Sequence, residues 1–294
     1  VADLHEVPEG AYNIRANGKL ADRVNSANIE IVSKEDGTGI DIHIKPGTKK
    51  ESVHIPVVLS QSGLSDLVYN DFYVGDDADV VIVAGCGIHN GGDQDSRHDG
   101  IHRFWLGKNA KVKYVEKHYG EGDGKGKRIL NPVTEVTMDE NSYMEMEMVQ
   151  IKGVDSTQRM TKADLAAGAK LIIRERLLTH GDQHAESGFV VNLNGEDSSA
   201  NVISRSVAKN HSTQVFNAEI NGNTKCAGHS ECDAIIMDHA KISAIPKIVA
   251  NDIDAALIHE AAIGKIAGEQ LIKLMTLGLT EQEAEAQIVN GFLK

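Results

Sequence analysis

The sequence predicts a mainly β chain, wound as a solenoid of parallel coils and closed by a small α-helical hairpin. Three observations carry this. Apolar and polar residues alternate strictly in short runs, most plainly at Met144-Glu145-Met146-Glu147-Met148, where three methionines fall on one face and two carboxylates on the other. A turn signature of a polar residue or glycine, then a small, a polar and an apolar residue, recurs at Asp77-Ala78-Asp79-Val80, Asn109-Ala110-Lys111-Val112, Asn141-Ser142-Tyr143-Met144, Gly168-Ala169-Lys170-Leu171, Asp197-Ser198-Ser199-Ala200 and His239-Ala240-Lys241-Ile242. Its small residues are spaced 32, 32, 27, 29 and 42 apart, periods that suit coils each burying an inner face on the next. Thirdly, the last thirty or so residues change to helical spacing. A large antiparallel sandwich would show the same alternation, and the recurrence favours the solenoid.

In chain order, residues 1–28 are polar and mixed and read as a short lead-in. Residues 29–263 carry the alternating runs and read as the β-helix, among them Val112 with Tyr114, Leu171 with Ile173, and Phe189 with Val191 and Leu193. Within it, Gly120-Glu121-Gly122-Asp123-Gly124-Lys125-Gly126-Lys127 reads as an exposed flexible loop. Residues 264–294 form the helical segment: Leu271, Ile272, Leu274 and Met275 follow helical spacing, and Gly278 stands where a helix commonly ends. Thr280 followed by Glu283 is a capping box that opens a second helix.

Composition narrows the function classes. With 30 Lys plus Arg against 43 Asp plus Glu the net charge is −13, which argues against nucleic acid as a partner. No apolar run reaches the roughly 18 to 20 residues a bilayer span needs, and Val1-Ala2-Asp3-Leu4-His5-Glu6 lacks the basic then apolar pattern of a leader, so no membrane partner and a cytoplasmic setting are expected. Cys86, Cys226 and Cys232 are too few and too odd in number for a disulfide framework, which leaves thiols available for chemistry. Neither phosphate-binding glycine motif is present, so no nucleotide is expected to bind this chain.

Several constellations remain. Cys86-x2-His89 followed by His98-x3-His102 offers thiolate and imidazole, ligands suited to zinc or iron; the competing reading is that histidines at coil corners bond to backbone. A metal-binding protein or metalloenzyme using Cys86, His89, His98 and His102 is the alternative function. The run Cys226-Ala227-Gly228-His229-Ser230-Glu231-Cys232 resembles a ligand set more than a redox pair, because the C-x-x-C spacing is missing. His259-Glu260 fails the zinc-protease motif, which needs His where Ile263 stands, and a capping role for the pair is the bland reading. No nucleophile elbow is present, and neither a hexapeptide repeat nor a repeated carboxylate pair supports a solenoid acyltransferase or polysaccharide enzyme.

At these residues a resemblance becomes specific. Glu231-Cys232-Asp233-Ala234-Ile235-Ile236, then His259-Glu260-Ala261-Ala262-Ile263-Gly264-Lys265-Ile266, Glu269-Gln270-Leu271, Leu277-Gly278-Leu279 and Ile288-Val289-Asn290-Gly291-Phe292 resemble the C-terminal half of the SufB/SufD family of iron-sulfur cluster assembly proteins. The resemblance is firm from about Cys226 onward and diffuse back to about Tyr12. It implies a right-handed parallel β-helix followed by a small helical domain. It also implies a non-enzymatic scaffold that builds and transfers a transient iron-sulfur cluster, with ATP hydrolysed by a SufC-like ABC ATPase partner and sulfur supplied by a cysteine desulfurase or other donor. The His-Glu pair is SufB-like. Cys232 falls on the cysteine implicated in building the cluster, and His259 and Glu260 fall on residues near the subunit interface implicated in the same task; Cys226 and His229 are auxiliary candidates by spacing alone. The segment from Glu269 to Phe292, with Glu269, Gln270, Leu274, Leu277, Gly278 and Phe292, is the expected ATPase-docking surface; the bland reading is that these positions cap the solenoid. A reduced flavin, as in some relatives, has no motif to read here. The chain is shorter than usual members and carries Ile245-Pro246 where many SufB sequences have Tyr-Pro. The simplest expectation is a minimal member that pairs with itself, or else with a paralogue.

Overall fold

The computed structural model of the chain describes residues 10–294, so the opening hexapeptide and part of the lead-in lie outside the described residues. Two hairpin-like pairs start the fold: β1 (Ala11–Ala16) with β2 (Lys19–Val24), and β3 (Ile29–Ser33) with β4 (Gly39–Ile44), each antiparallel. The coils follow as β5 (Lys49–Leu59), β6 (Ser65–Val74), β7 (Asp79–His89), β8 (Ser96–Leu106), β9 (Lys111–Glu121), β10 (Arg128–Leu130), β11 (Val133–Met138), β12 (Tyr143–Lys152) and β13 (Ser156–Leu165). They continue as β14 (Lys170–Thr179), β15 (His184–Leu193), β16 (Ser198–Ala208), β17 (Thr213–Gly222), β18 (Cys226–Ile236), β19 (Lys241–Ala250) and β20 (Ala255–Gly264). Helices α1 (Gly268–Thr276) and α2 (Glu281–Phe292) close the chain.

Strands alternate between two sheets, ordered β2-β1-β5-β7-β9-β12-β14-β16-β18-β20 and β19-β17-β15-β13-β10-β8-β6-β4-β3, with β11 beside β10 on the same rung. Apart from the two opening pairs, every strand pair is parallel, so the chain is a parallel β-solenoid rather than the sandwich. One rung is split into β10 and β11 by Asn131-Pro132, where proline removes a ladder donor.

The turn signature has a backbone cause. Asp77, Asn109, Asn141 and Asp197 take φ of 57–58° and Gly168 takes 66°, the left-handed region that Asp, Asn and Gly tolerate. The next residue, Ala78, Ala110, Ser142, Ala169 or Ser198, is at most 1% exposed. The sixth occurrence belongs elsewhere: Ala240 follows Asp238 on the opposite corner of the coil, one rung beyond Ser212 after Asn210. That is why its interval is 42 while true rungs are 27 to 32 residues apart, as in Met144↔Leu171 and Val112↔Met144. The glycine-rich loop also differs from expectation. Gly124 and Gly126 donate to the carbonyls of Asn90 and Gly92, and Cβ atoms there would lie 2.3 and 2.0 Å from backbone oxygens of the turn below. Glycine lets two backbones stack rather than leaving the loop free.

Inward residues form continuous columns. One in the first sheet runs Ile82, Tyr114, Met146, Ile173, Val202, Ser230, His259; the next runs Ala84, Glu116, Met148, Glu175, Ser204, Cys232, Ala261. The three methionines of the diagnostic run are buried, as alternation requires. β19 and β20 are the last rungs, and their residues are mostly exposed because no further coil covers them. Val289 and Leu293, at and just beyond the end of α2, pack against Val207 and Ile235, and its capping box is formed between Thr280 and Glu283. α1 buries nothing and leaves Ile272, Met275 and Leu277 exposed. Among the described residues no helix is long and apolar enough to cross a membrane.

Candidate functional site

Strand alternation sorts the candidate residues by face. On β18, Cys226, Gly228, Ser230, Cys232 and Ala234 point inward, while Ala227, His229, Glu231 and Asp233 point outward. On β20 the parity carries His259 inward and Glu260 outward. Consecutive strand residues cannot address one ion from one face, so His259 and Glu260 serve opposite sides of the sheet.

Cys232 is 1% exposed, one strand in from the open end. It lies beside Ser204, whose hydroxyl donates to Glu175 Oε2 at 2.7 Å, and diagonally from His259, on the order of 8 Å between Cα atoms for adjacent strands offset by two residues. Burial pushes its thiol up to about 12, with Glu175 and then Asp233 adding to the effect, so the thiol is held protonated. His259 Nδ1 is 3.2 Å from Ser230 Oγ; burial lowers its pKa, assisted by His229 and opposed by Glu260, which favours the neutral ring. Cys226 is buried against Gly222 on the same face but six residues from Cys232, about 20 Å along the strand, so the two thiols do not share an ion. All three cysteines are free and buried.

On the outer face, His229, Glu231 and Glu260 bring one ligand atom each to within 4.8 Å of one another. His229 Nε2 lies 3.4 Å from Glu260 Oε2, and its Nδ1 donates to Asn201 Oδ1 at 3.0 Å. Glu231 has its pKa raised, first by burial, then by the hydrogen bond its protonated form donates to Asp233 and by repulsion from Asp233, against the pull of Arg205 and His229. Glu231 was absent from the sequence-based candidates, although sharing parity with His229 and pairing with Glu260 were available signals.

The four upstream candidates do not converge. Cys86, His98 and His102 point inward and are buried, whereas His89 is outward, exposed and paired with Glu121. His98 Nδ1 donates to Asp66 Oδ2 at 3.0 Å, and Asp66 is also held by Arg15. His102 Nδ1 is 3.1 Å from the Tyr114 hydroxyl. Gly100 between them leaves room for both rings, since a Cβ there would come within 2.8 Å of His102 Nε2. Burial raises the Cys86 thiol further than any other cysteine. Next to this group lies a buried ionic knot: Arg159 Nη1 and His118 Nε2 reach Glu116 Oε1 at 2.7 and 2.9 Å, and the Tyr114 hydroxyl donates to Oε2 at 2.8 Å. Of the expected docking residues, Glu269, Gln270, Leu277 and Gly278 are exposed and Leu274 half-buried, while Phe292 packs beside Val289 against the solenoid.

Residues 67–292 match the family described as SUF system FeS cluster assembly, SufBD core domain. The chain belongs to the SufBD family. Curated relatives carry the same family name. A SufBD family protein of Methanocaldococcus jannaschii is 28% identical over 290 residues, spanning 97% of this chain and 90% of the relative. One from Archaeoglobus fulgidus is 29% identical over 264 residues, 88% of this chain and 69% of the relative. One from Methanothermobacter thermautotrophicus is 26% identical over 260 residues, 87% and 62% respectively. The matched span begins in β6 and includes both faces of the β18–β20 site, so this SufBD chain carries its donor groups within the family's core domain.

Proposed function

We propose that this SufBD chain is a non-enzymatic scaffold of a SUF-type system in the cytoplasm, one that builds a nascent iron-sulfur cluster and hands it on. The observation that carries the reading is the position of Cys232: a buried thiol one strand from an uncovered coil end, diagonal to His259. A scaffold must hold its product briefly, and few donors near an opening suit that better than a closed ligand cage. The end strands β19 and β20 are where a second copy, or a paralogue, completes the seam.

Sulfur transfer to Cys232 requires the thiolate. It attacks the outer sulfur of a donor persulfide, such as that of a cysteine desulfurase, forming a persulfide on Cys232 and releasing the donor thiolate. Because burial holds the thiol protonated, the closed chain is inert, and movement at the coil end must admit water first. A SufC-like ABC ATPase docked on residues 264–294, through the exposed Glu269, Gln270, Leu277 and Gly278 with Leu274 beside them, supplies that movement while hydrolysing ATP. Phe292 contributes by anchoring α2 to the solenoid.

The test is anaerobic reconstitution of the chain with its cognate ABC ATPase, read by iron and sulfide analysis and by alkylation of Cys232. Iron and sulfide are expected in stoichiometric amounts in the native chain and not in Cys232→Ser, with alkylation slow for the chain alone and accelerated by the ATPase with ATP. Equal iron and sulfide in Cys232→Ser, or no ATPase bound, would sink the reading.

A further inference from the structure

The assembly reading needs iron as well as sulfur, and the two faces of β18 and β20 offer different donors. Inside are a thiol and an imidazole; outside are one imidazole and two carboxylates. The outer set arises from simple geometry. His229 and Glu231 are two apart on β18 and therefore project from the same face, and Glu260 stands directly opposite Glu231 on β20. Glutamate and histidine side chains are long enough to meet over the sheet from those three starting points, and their ligand atoms do so within 4.8 Å.

The orientation of His229 points to a cation. Its Nδ1 proton is committed to the Asn201 amide oxygen, which fixes Nε2 as the nitrogen facing Glu260. This is the outer-shell arrangement that fixes the tautomer of a metal-bound histidine. A lone-pair nitrogen and a carboxylate oxygen at 3.4 Å repel unless a proton or a metal ion lies between them. One imidazole with two carboxylates and no thiolate is a borderline-to-hard set, suited to ferrous iron more than to a soft thiophilic ion. Glu260 is 66% exposed on its side chain, so an arriving ion has a path and keeps open positions for water.

We propose that His229, Glu231 and Glu260 form a mononuclear iron(II) loading site on the outer face of the sheet, with the thiol of Cys232 outside its ligand set. The proposal rests on the assembly reading for its purpose, while ion binding is measured independently of it. Iron enters as the ferrous ion and displaces water without a change of oxidation state.

The experiment is anaerobic equilibrium dialysis of the full chain against ferrous ammonium sulfate, with Glu231→Gln, His229→Gln and Cys232→Ser measured in parallel. One saturable site per chain is expected, weakened at least about tenfold in Glu231→Gln and in His229→Gln, and unchanged in Cys232→Ser. Asn201→Ala is expected to weaken it by a smaller factor. Absence of a saturable site in the native chain, unchanged binding in both outer-face variants, or loss of binding in Cys232→Ser overturns the proposal. A native chain that binds one ferrous ion at these residues yet assembles no cluster with sulfide and the ATPase would overturn the assembly reading and leave the site standing.

Discussion

Glu116 and Cys232 occupy the same inward column of the first sheet, four rungs apart, yet they live in different surroundings. Glu116 has coils on both sides and is locked by Arg159, His118 and Tyr114; against strong desolvation, Arg159, His118 and His102 hold its carboxyl well below the usual carboxylate range. Cys232 has covered coils on one side only, a serine for a neighbour, and the last strand beyond it. The repeat sets direction and register identically at both places. What differs is distance from the end: Glu116 is enclosed mid-column, whereas Cys232 lies one strand from the uncovered edge.

Truncation is the sharpest way to break this contrast. Glu116→Ala leaves the buried Arg159 guanidinium with only the more distant Glu175, 3.8 Å away, and is expected to cost about 3 kcal/mol in chemical denaturation. Glu260→Ala, an exposed carboxylate of the same type on the end strand, is expected to cost less than about 0.5 kcal/mol. Equal losses would remove the distinction between the two regions.

Acid sharpens the same comparison. Burial pushes the His102 pKa down to about 4, with Glu116 pulling the other way and His98, His118 and Arg159 reinforcing the drop. In the unfolded chain the ring takes up a proton near pH 6.5, whereas in the folded chain it resists until about 4, so the unfolded state binds more protons across that window. Stability from this group therefore falls as pH falls from about 6.5 to about 4, by roughly 3 kcal/mol. Denaturation curves for the native chain and His102→Gln, compared at pH 7 and pH 4, should differ in pH dependence by that order; parallel curves would show that His102 is not buried in its neutral form. A smaller effect than at His102 belongs to the closing hairpin. Thr280→Ala removes the hydroxyl that accepts from the Glu283 amide, and a loss of about 1 kcal/mol is expected, seen as weaker hydrogen-exchange protection of α2.

Much of the architecture was legible. The methionine alternation, the Asx and glycine turn residues, and the Thr280–Glu283 box each identify their element from local chemistry alone. The two turn columns were not separated, because His239-Ala240-Lys241-Ile242 fits the same polar, small, polar, apolar pattern, although the left-handed residue of its turn is Asp238, two positions before the small residue instead of one as at Asp77-Ala78. At the site, the relevant residues were mostly visible while their grouping was not. His259 and Glu260 are adjacent in sequence and so look like a pair, but the pleat sends them to opposite faces. Following parity from Val112 and Tyr114 onward would have placed Glu116 and His118 in the lumen; their charge disguised them, since Arg159, the group that makes such burial tolerable, lies 43 residues from Glu116.

The stacked glycine loop places an arithmetic condition on how this protein can change. Residues 122–126 nest on the turn at 90–94 through paired backbone contacts, and the two stretches belong to successive coils of equal length. Deleting one residue from either would slide every glycine off its seat and drive a carbonyl into a Cβ or into empty space. The close seating of these two turns thus depends on their equal length, so a deletion in one alone is expected to undo the glycine contacts that a matched deletion in both could keep.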